Sequence, residues 1–200
     1  MDSTAIPERA YRYRDLGRLT SWLRIALLVL VAAGVVNLLA GAASLFGYAA
    51  PKAVAGLLAI PSLLVPLAAA LVFFIWIYRA AANIHALGAD VTFTPGWAVG
   101  WFLIPVLDLW MSFLVVEELW RASVDAPAWR RHIAPWPVVW WWAVLAGGAI
   151  LAVLLRLIAG ASAASVVAAV AEIATAYLFV GLSAQICKMQ DTQAARTAVA

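Results

Sequence analysis

Charge is scarce in this chain. Asp, Glu, Lys and Arg make up 12% of its 200 residues, with one cysteine and two histidines. So little charge excludes a soluble domain of ordinary composition. The lone cysteine, Cys187, excludes an internal disulfide and a thiolate metal cage within one chain. No phosphate-binding glycine loop, no His-Glu-x-x-His and no nucleophile elbow occurs, which removes the familiar routes to nucleotide, zinc-peptidase and α/β-hydrolase chemistry. His85 and His132 fall in connecting segments, where paired haem ligation is not expected. They could join Asp90 and a glutamate at a metal only by a gathering that the spacing does not require. No cofactor or metal is expected. A net charge of +3 argues no case for nucleic acid, because basic residues in a membrane protein mainly report orientation.

Apolar sequence is abundant: 66% of residues are hydrophobic, eleven are tryptophan, and the mean hydropathy is +0.98. A crossing helix needs about 20 apolar residues. Four segments supply them: Ser21–Gly47, Leu57–Tyr78, Trp136–Ile158 and Ser162–Cys187. The first has a basic lead-in and an Ala40-Gly41-Ala42 resembling a signal-peptidase site, but its apolar run is long for a signal peptide, which favours an uncleaved span.

A fifth segment, 97–120, is equivocal. Its core carries one charge, Asp108, and is interrupted by Pro105 after Gly96 and Gly100. Proline removes a backbone donor and crowds the preceding turn. If the segment spans, the basic residues divide almost evenly across the membrane. If it enters and returns, with both termini inside, all of the thirteen basic residues except Lys52 and Arg156 lie inside, the bias that orients membrane proteins. The expected fold is therefore an all-α membrane bundle of four spans plus one Pro-broken inserted segment, re-entrant or a fifth span. A cationic lead-in (1–20) precedes the transmembrane domain (21–189), and a cytoplasmic tail (190–200) follows it. The stretch ERAYRYRDLGRLTSWLR is expected as a cationic helix resting on anionic headgroups.

Small and hydroxyl residues allow helices to approach closely in lipid. Gly34, Asn37, Gly41 and Ser44 form one such stripe, and Ser165, Glu172, Thr175 and Ser183 another; Ala143 and Gly147 lie four apart on the third span. These stripes are expected to face one another. Glu172 is different, since a carboxylate in mid-span is costly. Its reachable partners are Asn37, Arg156 and Asp108; without one it is expected to keep its proton, and it is a candidate proton or cation site. Along 97–120, a continuous helix would align Trp97, Trp101, Pro105, Asp108 and Ser112. Glu117 and Arg121 form a favourable i, i+4 pair, Trp110 and Trp120 suit a headgroup-level belt, and Arg79 with Asn83 is placed to meet Glu117 or Glu118.

The run FFIWIYRAAANIHALGADVTFTPGWAVGWFLIPVLDLW, continued by EELWRAS, resembles a bacterial membrane-protein family, domain of unknown function 4328. The residues that carry the resemblance are Arg79, Asn83, Pro95, Gly96, Trp97, Gly100, Trp101, Pro105, Leu109, Trp110, Glu118, Leu119 and Trp120. Two positions depart from the family pattern: Asp108 stands where asparagine is usual, and Met111-Ser112-Phe113 replaces a basic-Pro-aromatic run. The resemblance implies a multi-pass protein of the bacterial cytoplasmic membrane and brings no activity with it. The foremost functional expectation is a non-enzymatic scaffold or partner subunit, meeting another membrane protein or a second copy of itself. A small transporter or channel using Asp108 and Glu172 is the alternative. A lipid-acting enzyme using Glu117, Glu118, His85 or His132 is the third.

Overall fold

The computed structural model describes residues 11–48, 51–133 and 135–199. The described residues contain no strand. Their helices are α1 (Gly17–Leu45), α2 (Lys52–Ala86), α3 (Pro95–Gly100), α4 (Pro105–Val124), α5 (Trp136–Ile158) and α6 (Ala161–Val199), with 3-10 turns at Trp101–Leu103 and Trp129–Arg131.

Within α1, α2, α5 and α6 lie apolar stretches long enough to cross a membrane. These are the four segments expected from the sequence. Only 6% of the apolar window of α2 is buried, and Leu57, Ile60 and Leu63 stand open. So large an apolar surface is stable against hydrocarbon and not against water. The chain is an integral membrane protein. Its α2 and α6, with 35 and 39 residues, reach about 52 and 58 Å, well beyond the ~30 Å hydrocarbon core. Residues 190–199, expected as a tail, continue α6.

The 97–120 segment is broken where proline predicts. Thr94 caps α3 with Pro95 in its first turn, a favoured helix start. Ile104 is extended (φ −106°, ψ 101°) and α4 begins at Pro105, because a residue preceding proline is driven out of the helical region. The continuous stripe from Trp97 to Ser112 therefore does not form.

The described residues gather into two compact units. One comprises Leu19–Phe74 and Trp136–Ser183; the other comprises the residues before Leu19, Ile75–Pro135 and the chain from Ala184 onward.

In the first unit α6 is flanked closely by α1 and α5. A Cβ on Gly34 would lie 2.8 Å from Ile173, and one on Gly41 would lie 2.8 Å from the Ser165 hydroxyl. The two expected stripes do meet. On α5 the contact is made by Gly148 against Ala171, while Gly147 faces open space, so the Ala143–Gly147 spacing pointed one residue away from the real contact. Phe179, almost fully buried, meets Phe73 edge-on at 4.9 Å and Trp141 at 5.4 Å.

In the second unit, Gly88 ends α2 with φ 90°, and the Ala89 N–H donates back to the Ile84 carbonyl at 3.0 Å. That left-handed position is one glycine adopts without strain. Glu8 to Ala10 of the expected cationic helix lie outside the described residues. Residues 11–16 are not helical; they pack on the protein, with Leu16 fully buried.

Candidate functional site

Two constellations hold the polar side chains that an apolar chain keeps at some cost. The first is a buried amide hub in the second unit. Asn83, fully buried on α2, accepts from the Arg14 N–H at 3.0 Å and donates to the Arg14 carbonyl at 2.8 Å. One carboxamide thus satisfies both backbone groups of Arg14, as a neighbouring strand would. The Asn83 amide also donates to Gln190 Oε1 at 3.1 Å. Gln190, equally buried, donates to the Ala80 carbonyl at 3.2 Å and to Ser123 Oγ at 3.0 Å. One turn on, Gln193 donates to the Ala122 and Ser123 carbonyls and accepts from the Ala126 N–H. It therefore closes the C-terminus of α4, where helix carbonyls lack partners.

Glu118, a buried carboxylate of the same unit, is 7% exposed. Its two oxygens accept from the Thr92 and Phe93 N–H groups at 2.9 and 3.0 Å. Both amides precede α3, so the carboxylate ties the entry of the broken segment to its exit helix. The His85 ring bonds the Phe93 carbonyl at 3.1 Å and lies against Tyr11. Trp129, in the loop after α4, donates to the Asp90 carbonyl at 2.9 Å, and the Arg121 and Arg130 guanidinium groups cover its ring. Tyr13 donates to Asp191 at 2.6 Å. Burial first, and that hydrogen bond second, push its phenol well above the ordinary range.

These contacts revise several expectations. Arg79 and Asn83 do not reach Glu117 or Glu118: Glu117 pairs with Arg121 at 3.2 Å as the spacing predicts, and Arg79 has no ion pair among the described residues. His85, His132 and Asp90 do not come together; His132 sits 3.9 Å from Asp125, and Asp90 pairs with Arg130. Among the described residues no three His, Cys, Asp or Glu side chains are placed to hold a metal.

A family model described as domain of unknown function (DUF4328) matches residues 40–190, well over half of the chain. The chain belongs to the DUF4328 family. No curated protein and no solved structure matches it.

The DUF4328 motif residues divide into fasteners and an open apolar face. Asn83, Pro95 and Glu118 are buried, and Gly100 lies under the Trp97 ring, which meets Trp101 at 5.0 Å. Gly96 faces open space. Trp97 and Trp110 are more than half exposed. Trp101 Nε1, Trp120 Nε1 and one Asp108 oxygen are buried without a hydrogen-bond partner among the described residues. Gln190 and Gln193 went unread in the sequence of this DUF4328 chain. Their one signal was a pair of amides spaced i, i+3 just past an apolar run.

The second constellation lies between α1 and α6, inside the first unit. An open groove of about 430 Å³ is lined by Asn37, Gly41, Ser44, Ser165, Ala168 and Glu172, among others, with Asn37, Ser44, Ser165 and Ala168 exposed along it. Neither Asn37 nor Glu172 has a hydrogen-bond or ion-pair partner among the described residues. Arg156 is exposed at the end of α5, and Asp108 belongs to the other unit. Of the three partners expected for Glu172, only Asn37 shares its groove.

Proposed function

We propose that this DUF4328 protein performs no chemistry of its own and serves as a partner subunit of a membrane assembly. Its broken α3–α4 segment enters and leaves one face of the bilayer, with both termini on the cytoplasmic side, and docks against another membrane protein. The observation that carries this reading is the commitment of Glu118 to two backbone amides. The most reactive-looking group of the motif is a fastener. His85, Glu117 and His132, the remaining members of the enzyme reading, also make contacts within the fold. The segment they hold turns outward Trp97, Leu103, Val106 and Trp110, with Val106 80% exposed. The transporter alternative, with Asp108 and Glu172 as a shared pair, has less support, because no contact between the two carboxyls carries it.

Photo-crosslinking residues placed at Val106 and Trp110 test the proposal in native membranes. Each is expected to give one discrete protein adduct, and the same probe at the equally open Leu57 is expected to give none. Adducts with lipid alone at all three positions would remove the docking reading. Lipid turnover by the protein in liposomes, abolished by His85→Ala, would replace it with the enzyme reading.

A further inference from the structure

The α1–α6 groove has a chemistry that neither helix packing nor docking of the broken segment uses. Its polar lining accepts hydrogen bonds. The Ser44 hydroxyl spends its proton on the Gly41 carbonyl at 2.7 Å, and the Ser165 hydroxyl spends its own on Ser162 at 2.8 Å. Both serine oxygens are left as acceptors. Beside them are the Asn37 carboxamide and the Glu172 carboxyl, and of the residues lining the groove Glu172 alone is ionisable. Glu172 stands about 16 Å along α6 from its start, inside the apolar stretch. A carboxylate in such surroundings calls for a positive partner, and none pairs with it among the described residues.

Size narrows the ligand. The open groove, about 430 Å³, far exceeds what a bare alkali ion fills and has room for a small molecule. Its remaining wall is made of small apolar residues, among them Ala168 and Ala169. The matching ligand carries a cationic N–H group for the acceptors and a compact apolar body for that wall.

We infer that the α1–α6 groove is a binding site for small organic ammonium ions, with the Glu172 carboxylate as counter-ion and the Asn37, Ser44 and Ser165 oxygens as further acceptors. The site rests on the groove and is independent of the docking proposal. Glu172 supplies the charge, and Ala168 bounds the space the apolar body fills.

Equilibrium dialysis of labelled benzylammonium against the purified full chain in detergent is the test. Saturable binding is expected at one ligand per chain. Glu172→Gln is expected to weaken it at least about tenfold, the worth of one charged hydrogen bond. Ala168→Leu, which fills the space and keeps every polar group, is expected to weaken it comparably with an unchanged unfolding temperature. Neutral benzyl alcohol at equal concentration is expected not to compete. Non-saturable binding, equal binding by Glu172→Gln, or full binding by a folded Ala168→Leu variant would each overturn the inference. Displacement by an equal concentration of Na⁺ would also overturn it, leaving a site for bare ions.

Discussion

Asn83 and Glu118 each use one side chain to satisfy backbone groups that belong to no helix or sheet. Buried N–H and C=O groups without partners are costly, and here the lead-in and the Thr92–Phe93 turn are completed by a carboxamide and a carboxylate. Glu118→Ala strips two buried amides of their acceptor and is expected to cost about 2–4 kcal/mol. Glu118→Gln, which retains one acceptor oxygen, is expected to cost less. Thermal unfolding, together with protease cleavage between residues 88 and 95, reads both effects. A Glu118→Ala protein as stable and as resistant as the wild type would refute the fastening role. Asn83 and Glu118 stood out as motif positions in the sequence, but their partners did not. A hydrogen bond between residues 69 or 107 apart leaves no local periodicity.

At the scale of elements, lipid-embedded helices gain from close backbone approach, and glycine permits it. Neighbouring glycines on α5 make a matched pair. Gly148 abuts Ala171, whereas Gly147 meets nothing within 4 Å. Gly148→Val is expected to destabilise the protein by about 1–3 kcal/mol through overpacking, and Gly147→Val to leave stability nearly unchanged. Unfolding temperatures of the two variants in the same detergent decide it, and equal losses would mean that α5 packs through another face. The spacing rule had selected Gly147. An i, i+4 pair of small residues marks a face only to within about one helical position, and the neighbour's side chains settle which glycine is crossed. The break in 97–120 was legible for the opposite reason: the exclusion of helical geometry before Pro105 is purely local.

For the whole molecule the test is sidedness. The proposed topology puts the 125–135 loop on the cytoplasmic side, and Pro127 is exposed there. In a Cys187→Ser background, Pro127→Cys is expected to resist an impermeant maleimide in intact cells and to react once the membrane is opened. Labelling of intact cells would mean that the broken segment crosses, and the charge-bias argument would fail with it. Arg130 and Arg131 in this loop weigh heavily in that bias, so the loop is the most sensitive place to ask.

Hydropathy and proline chemistry act within a few turns of chain. The sequence alone therefore determined that this is an all-α membrane protein with four helices long and apolar enough to cross a bilayer and a broken further segment, and its motif was enough to point to the family. Which face of each helix meets another depends on side chains far apart in the chain, and only the tertiary structure decided that. It made Glu118, a motif position in the sequence, a clamp on two amides. It drew Gln190 and Gln193 into a buried hub. It placed Glu172 in a groove with Asn37. A carboxyl is costly at membrane depth wherever it stands, but its partner is set by packing, which no local pattern encodes.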